Sequence, residues 1–114
     1  MTIEQFLKTL RSEPETVEFD DTMSVIEAEY NFTPTPFSNG DIENAANENN
    51  GSCKIFAFAQ LQSLDADQTL ACFGRYYRED VLKNPDGTDH SNIRSFMKHG
   101  WIGIEFDGMA LTVA

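Results

Sequence analysis

The run Ile55-Phe56-Ala57-Phe58-Ala59-Gln60-Leu61 restricts what this chain can become more than any other stretch. It follows the polar, glycine-bearing segment Asn49-Asn50-Gly51-Ser52, and at helical spacing it is apolar nearly all round. Such a helix has to be covered on every side. In a chain of 114 residues and 12.8 kDa only one core of that kind can close, so a single domain over residues 1–114 is expected, with this helix at its centre. Nine Phe, three Tyr and one Trp supply the apolar surface that covers it, which separates the chain from disordered sequences of similar charge. The Ser52 hydroxyl can accept an amide proton from the first turn, so the helix is expected to begin near Ser52.

Around it, Thr2 with Gln5 has capping-box spacing, and Ile3, Phe6, Leu7 and Leu10 form one stripe, predicting a first helix from Ile3 to Arg11. Asp20, Asp21 and Thr22 lead a second helix through Met23, Val25, Ile26 and Tyr30. "NFTPTPF" reads as an edge strand or extended strap, because Pro34 and Pro36 have no amide donors and push the preceding threonines to extended geometry. Residues 38–51 read as a long loop with turn-prone Asn39-Gly40 and Asn50-Gly51 and a short helical turn around Ile42 to Ala46. Asp65 with Gln68 starts a fourth helix, whose stripe of Leu70, Phe73, Gly74, Tyr77 and Val81 runs to Leu82, with Gly74 permitting close approach to a neighbour and Arg75 and Glu79 as an outward i, i+4 pair. "NPDG" is a turn, Thr88 or Asp89 can cap a fifth helix that ends at Gly100, and Lys98 and His99 suit its C-terminal end. Two strand-like runs flank Asp107-Gly108, a hairpin signal, with Trp101 anchoring them on the core. The expected fold class is therefore α+β: a mainly helical single domain of about five helices with a C-terminal β-hairpin, which builds a small antiparallel sheet if it pairs with the strap around Phe32.

The formal net charge is −11, and in the first fifty residues only Lys8 and Arg11 stand against eleven acids. This field disfavours nucleic acid and anionic membrane as partners and leaves a solvated acidic face or a docking surface for a basic protein. No apolar run reaches the roughly 20 residues that span a bilayer. Cys53 and Cys72 are too few for a disulfide framework, and the N-terminal segment lacks the pattern of a signal peptide, so a reducing cytoplasmic setting is expected.

The blocks "NNGSCKIFAFAQL", "TLACFGRYYREDVL" and "PDGTDHSNIRSFMKHGW", in this order and spacing, resemble the HopJ type III effector protein family from about Phe19 to Leu111. The resemblance implies a bacterial protein that a type III secretion system delivers into a host cell. It carries no catalytic or binding residue.

The residues themselves suggest two kinds of site. Cys53 at a helix start beside Lys54 is placed where first-turn amides and positive charge favour thiolate, and His90 with Asp89 would complete a cysteine-dependent hydrolase or transferase. Gly51-Ser52-Cys53 is similar to papain-like enzymes only as far as the cysteine, since Lys54 stands where they have tryptophan. The other kind is a non-enzymatic interaction or ligand-binding module. Its recognition surface would be the loop from Asn39 through Asn50 to Ser52 and the turn at His90, with Lys54, Tyr77, Arg78 and Arg94 converging on an unknown protein partner or a small anionic ligand. "NNGSCK" lacks the spacing of a P-loop, and Cys53, Cys72, His90 and His99 lack the paired spacings of zinc sites, so no cofactor and no metal is expected.

Overall fold

The computed structural model describes all 114 residues. Helix α1 (Ile3–Ser12) opens with the capping box expected from its sequence: Thr2 Oγ1 accepts the Gln5 amide at 3.1 Å and Gln5 Oε1 accepts the Thr2 amide at 3.0 Å. A 3₁₀ turn (Pro14–Thr16) leads to α2 (Phe19–Glu29). Strand β1 (Tyr30–Phe32), the extended proline segment and the hairpin β2 (Phe37–Asn39) and β3 (Ile42–Asn44) follow. Helix α3 (Asn50–Leu61) comes next, then α4 (Ala66–Ala71), a π-helical turn (Tyr76–Val81), α5 (Ser91–His99), a 3₁₀ turn (Gly100–Gly103), and strands β4 (Ile104–Phe106) and β5 (Leu111–Val113).

The apolar helix is central, as its composition demands. Ile55, Phe56, Phe58 and Ala59 are fully buried, and Phe56 meets the rings of Phe37, Phe73, Phe96 and Trp101 at centroid separations between 5.0 and 6.3 Å. Phe58 is met edge-on by Phe6 of α1 and Tyr30 of β1. Five elements thus contribute aromatic faces to one helix, worth about 0.5–1.5 kcal/mol per favourable ring pair beyond the area they bury. Trp101 is fixed by its indole donating to the Leu64 carbonyl at 3.0 Å.

Four local expectations give way to longer-range contacts. The two C-terminal strands form, but not as a hairpin: β5 pairs antiparallel with β1 (Phe32↔Leu111) and β4 with β2 (Ser38↔Glu105), giving sheets β1-β5 and β3-β2-β4. Residues 42–44 are a strand rather than a helical turn, since Asn39-Gly40 closes a hairpin onto them. Helix α3 starts two residues early, behind Asn49 in left-handed conformation, so Ser52 lies inside the helix and does not cap it; likewise His90, not Thr88 or Asp89, precedes α5.

The fourth departure positions the site. The stripe from Leu70 to Leu82 is not one helix, because Gly74 takes φ +61° and breaks it. A Cβ at Gly74 would lie 2.6 Å from the Phe19 amide nitrogen, so the close approach expected of this glycine is real and is made to the start of α2. The pair Arg75–Glu79 is replaced accordingly: Arg75 reaches Glu18 at 3.0 Å, and Glu79 pairs with Lys83.

Candidate functional site

The breaks in the chain converge. Where α3 and α5 begin, a cleft of about 330 Å³ opens between Asn49, Gly51 and Ser52 on one side and His90, Ser91, Asn92 and Ile93 on the other, walled by Phe19, Phe73 and Tyr76. A side chain at Gly51 would press on the tip of the Phe19 ring, 2.8 Å from the position of its Cβ, and displace that wall of the cleft. Gly74 turns the chain so that Phe73 and Tyr76, on either side of the break, face the same space.

Both helices reach the cleft without a side-chain cap: Asn49 (φ 52°) and His90 (φ 50°) are left-handed, and neither side chain accepts a first-turn amide. The first turns of a 12-residue and a 9-residue helix therefore present N–H groups that have no acceptor along their own helices, and the positive ends of both helix dipoles meet there. Asn92 is held from behind. Its Oδ1 accepts from Asn39 Nδ2 at 3.0 Å and Asn44 Nδ2 at 3.1 Å, its own Nδ2 donates to Asn44 Oδ1 at 3.0 Å, and Asn49 Nδ2 donates to the same oxygen at 2.8 Å. This buried amide network joins the hairpin to both helix starts, so the two are positioned by one set of bonds.

The aromatic side is equally specified. Phe19 and Tyr76 meet edge-on at 5.1 Å, and Tyr76 lies over the His90 ring at 5.1 Å and 32°. His90 Nε2 sits 3.0 Å from Asp80 Oδ2, and Nδ1 has no hydrogen-bond partner in the fold. Asp80, on the π-helical turn, is thus the carboxylate that orients His90. Asp89, 3.9 Å from that nitrogen, is instead engaged by Arg94 at 2.7 Å, whose hydrogen bond holds its carboxyl below the usual range.

Of the residues the sequence suggested, Ser52 and His90 line the cleft and the others do not. Cys53 is 1% exposed and packs into the core, its thiol donating to the Thr35 carbonyl at 3.5 Å. Burial pushes its pKa up, outweighing the Thr35 contact and the charge of Lys54. The expected thiolate and the Cys53–His90–Asp89 arrangement are therefore corrected: successive residues of a helix lie about 100° apart round its axis, so Ser52 lines the cleft while its neighbour Cys53 is turned into the core. Lys54 points away too, 3.4 Å from Glu27 and over the Phe32 ring at 4.9 Å. Asn39 is fully buried in the amide network, and its Oδ1 is the one buried side-chain polar atom without a partner. Asn50 opens α3 but does not line the cleft. Tyr77 does not line the cleft, and its pKa is raised by burial and by Asp67. Arg78 donates to the carbonyls of Val17 at 2.7 Å and Pro14 at 3.4 Å and pairs with Glu18 at 2.9 Å, stapling the α1–α2 connection. Arg94 closes the 84–89 turn through the carbonyls of Asn84 and Asp89.

The sequence reading missed Phe19, Phe73, Tyr76 and Asp80 as site residues. Phe73 falls on the apolar stripe and Asp80 reads as a helix-surface acid, Phe19 and Tyr76 lie on neither predicted stripe, and the break at Gly74 that regroups them is not a local signal.

Residues 3–111 match the family described as HopJ type III effector protein. A solved crystal structure, that of the unknown function protein VPA0580, is similar at a TM-score of 0.98 and 60% sequence identity, covering 100% of this chain and 95% of that one. No curated protein matches the chain.

Proposed function

This chain belongs to the HopJ type III effector protein family, and from that premise we propose that it is a ligand-binding module, taking a small anion-bearing molecule into the cleft between the starts of α3 and α5. The observation that carries this reading is the meeting of two uncapped helix starts in one cleft with aromatic walls. Free first-turn amides and two dipole ends suit a carboxylate or phosphate. Phe19, Phe73 and Tyr76 suit the apolar or planar remainder of the molecule, and His90, oriented by Asp80, offers Nδ1 as a further polar contact. A cleft of this size is at the lower end of small-molecule sites. The recognition surface is narrower than the whole loop from Asn39 to Ser52, because Asn39 and Asn44 are spent inside the fold. The core position of Cys53 removes the support for a cysteine-dependent hydrolase or transferase. The family description supports delivery into a host cell as the setting in which the ligand is met, and no helix is long and apolar enough to cross a membrane.

Thermal unfolding tests the reading with inorganic phosphate and benzoate as probes. A ligand that binds only the folded state raises the midpoint with concentration. The expected result is a saturable rise with at least one probe, lost in His90→Asn, which retains a residue tolerant of left-handed backbone, and kept in Lys54→Ala. A rise that Lys54→Ala abolishes and His90→Asn leaves intact would place binding elsewhere, and no rise with either probe would contradict the reading.

A further inference from the structure

The cleft has a neighbour of opposite electrical character. Phe19 and Tyr76, which wall the cleft, also wall a second hollow of about 170 Å³, whose other lining residues are Glu18, Asp20 and Arg75. The two spaces thus share one aromatic wall, the edge-on pair of rings 5.1 Å apart. A molecule lying across that wall has one end in each space.

The first turns of α3 and α5 contain no acid, whereas that of α2, at the second hollow, carries Asp20 and Asp21. Asp21 is engaged within its own helix start, its Oδ2 accepting the Glu18 amide at 3.1 Å. Glu18 is engaged as well: Oε2 lies 3.0 Å from Arg75 Nε and Oε1 2.9 Å from Arg78 Nη2. Asp20 is left exposed, with neither a hydrogen bond nor an ion pair in the fold. With Arg75 set against Glu18, the uncommitted charge of this hollow is therefore the Asp20 carboxylate, beside two aromatic rings of the kind that attract a cation over their faces.

The charge of the whole chain points the same way. A simple anion approaches a body of net charge −11 against its field. A molecule that also carries a cation approaches without that penalty, and its positive end is favoured. We propose that the ligand of the cleft is zwitterionic: an anionic group at the starts of α3 and α5, a short apolar or planar body against Phe19 and Tyr76, and an ammonium group at Asp20. This inference deepens the anion-binding reading and rests on it.

Matched probes test it: benzoate, para-aminomethylbenzoate and para-aminoethylbenzoate, titrated into the full chain at neutral pH and followed through backbone amide resonances. The second and third probes add only an ammonium arm, at two lengths. At least one of them should bind about threefold or more tightly than benzoate, the size of gain an exposed ion pair supplies, and should shift Asp20 as well as Gly51 and Ser91. Asp20→Asn should abolish the difference between the probes, and Asp107→Asn, an exposed acid that lines neither space, should preserve it. Raising sodium chloride from about 20 mM to about 500 mM should narrow the difference, because the field of the chain and the exposed ion pair are both screened, while chloride competes with all three probes alike at the helix starts. If benzoate binds there and neither aminated probe binds more tightly, or if the gain survives Asp20→Asn, the zwitterion proposal is overturned and the anion reading stands. If none of the three shifts the helix-start amides, both are overturned.

Discussion

Gly74 does more than any other single residue to shape the cleft, and its backbone makes the sign of one substitution unusual. In a regular helix interior, glycine to alanine stabilises by about 1 kcal/mol. Here φ is +61° and the added Cβ would lie 2.6 Å from the Phe19 backbone nitrogen. Gly74→Ala should therefore destabilise by about 2 kcal/mol or more, read as a lower denaturant midpoint; a stabilised variant would mean that the helix runs straight through. The two cysteines provide a second test at this scale. Burial raises the pKa of Cys53 and pushes that of Cys72 up to about 12, so in the fold both favour the neutral thiol over the nucleophilic thiolate. Labelling of either by a disulfide reagent near neutral pH should be at least about tenfold slower than that of an exposed model thiol. The linkage has a definite sign. A thiol whose folded pKa is raised contributes its full stability below the unfolded value of about 8.5, and loses it as pH climbs from there through about 12. Stability should consequently fall with rising alkaline pH more steeply in the parent than in Cys72→Ala, by up to about 1.4 kcal/mol per pH unit. Equal slopes would show that Cys72 titrates normally in the fold.

Among the elements, those with local instructions were legible in the sequence and those fixed by distant partners were not. Thr2 with Gln5 and Asp65 with Gln68 announce helix starts because both partners of each capping box lie within one turn, and both boxes form. The all-round apolar run announces a central helix for the same reason. Asp107-Gly108 promised a hairpin, yet Phe106 pairs with Phe37 and Leu111 with Phe32, residues 69 and 79 positions away that no local pattern can name. The site divides in the same way: the sequence marks Ser52 at a helix start and His90 in the turn before another, while Phe19, Tyr76 and Asp80 join them only through the break at Gly74. The element that ties these pieces together is the β2–β3 hairpin, through its buried amides. Asn44→Ala would strip partners from both ends of the Asn92 side chain and from Asn49. Buried amide groups left unsatisfied cost about 1–3 kcal/mol each, so a loss of roughly 3 kcal/mol in chemical denaturation is expected, together with faster hydrogen exchange at the first turns of α3 and α5. A loss confined to the hairpin, with those turns unaffected, would separate the network from the cleft.

At the scale of the whole molecule, the proposed anion site belongs to a strongly acidic chain. The net charge of −11 acts over the Debye length, whereas the helix-start amides act within hydrogen-bonding distance. The proposed function therefore requires the cleft to hold a small acid that the protein as a whole repels. Self-repulsion has its own consequence: with eight basic residues against nineteen acids, added salt relieves more repulsion than attraction. The thermal midpoint should rise by a few degrees between about 20 mM and about 500 mM sodium chloride, whereas a fall would mean that ion pairs such as Arg78–Glu18 and Arg94–Asp89 outweigh it. The central claim, that the starts of α3 and α5 together form an anion-receiving cleft, is tested most directly by following backbone amide resonances while inorganic phosphate or benzoate is added. The predicted result is saturable shifts of Asn50, Gly51, Ser52, Ser91 and Asn92 with one common dissociation constant; shifts scattered over the surface, or at one helix start without the other, would contradict it.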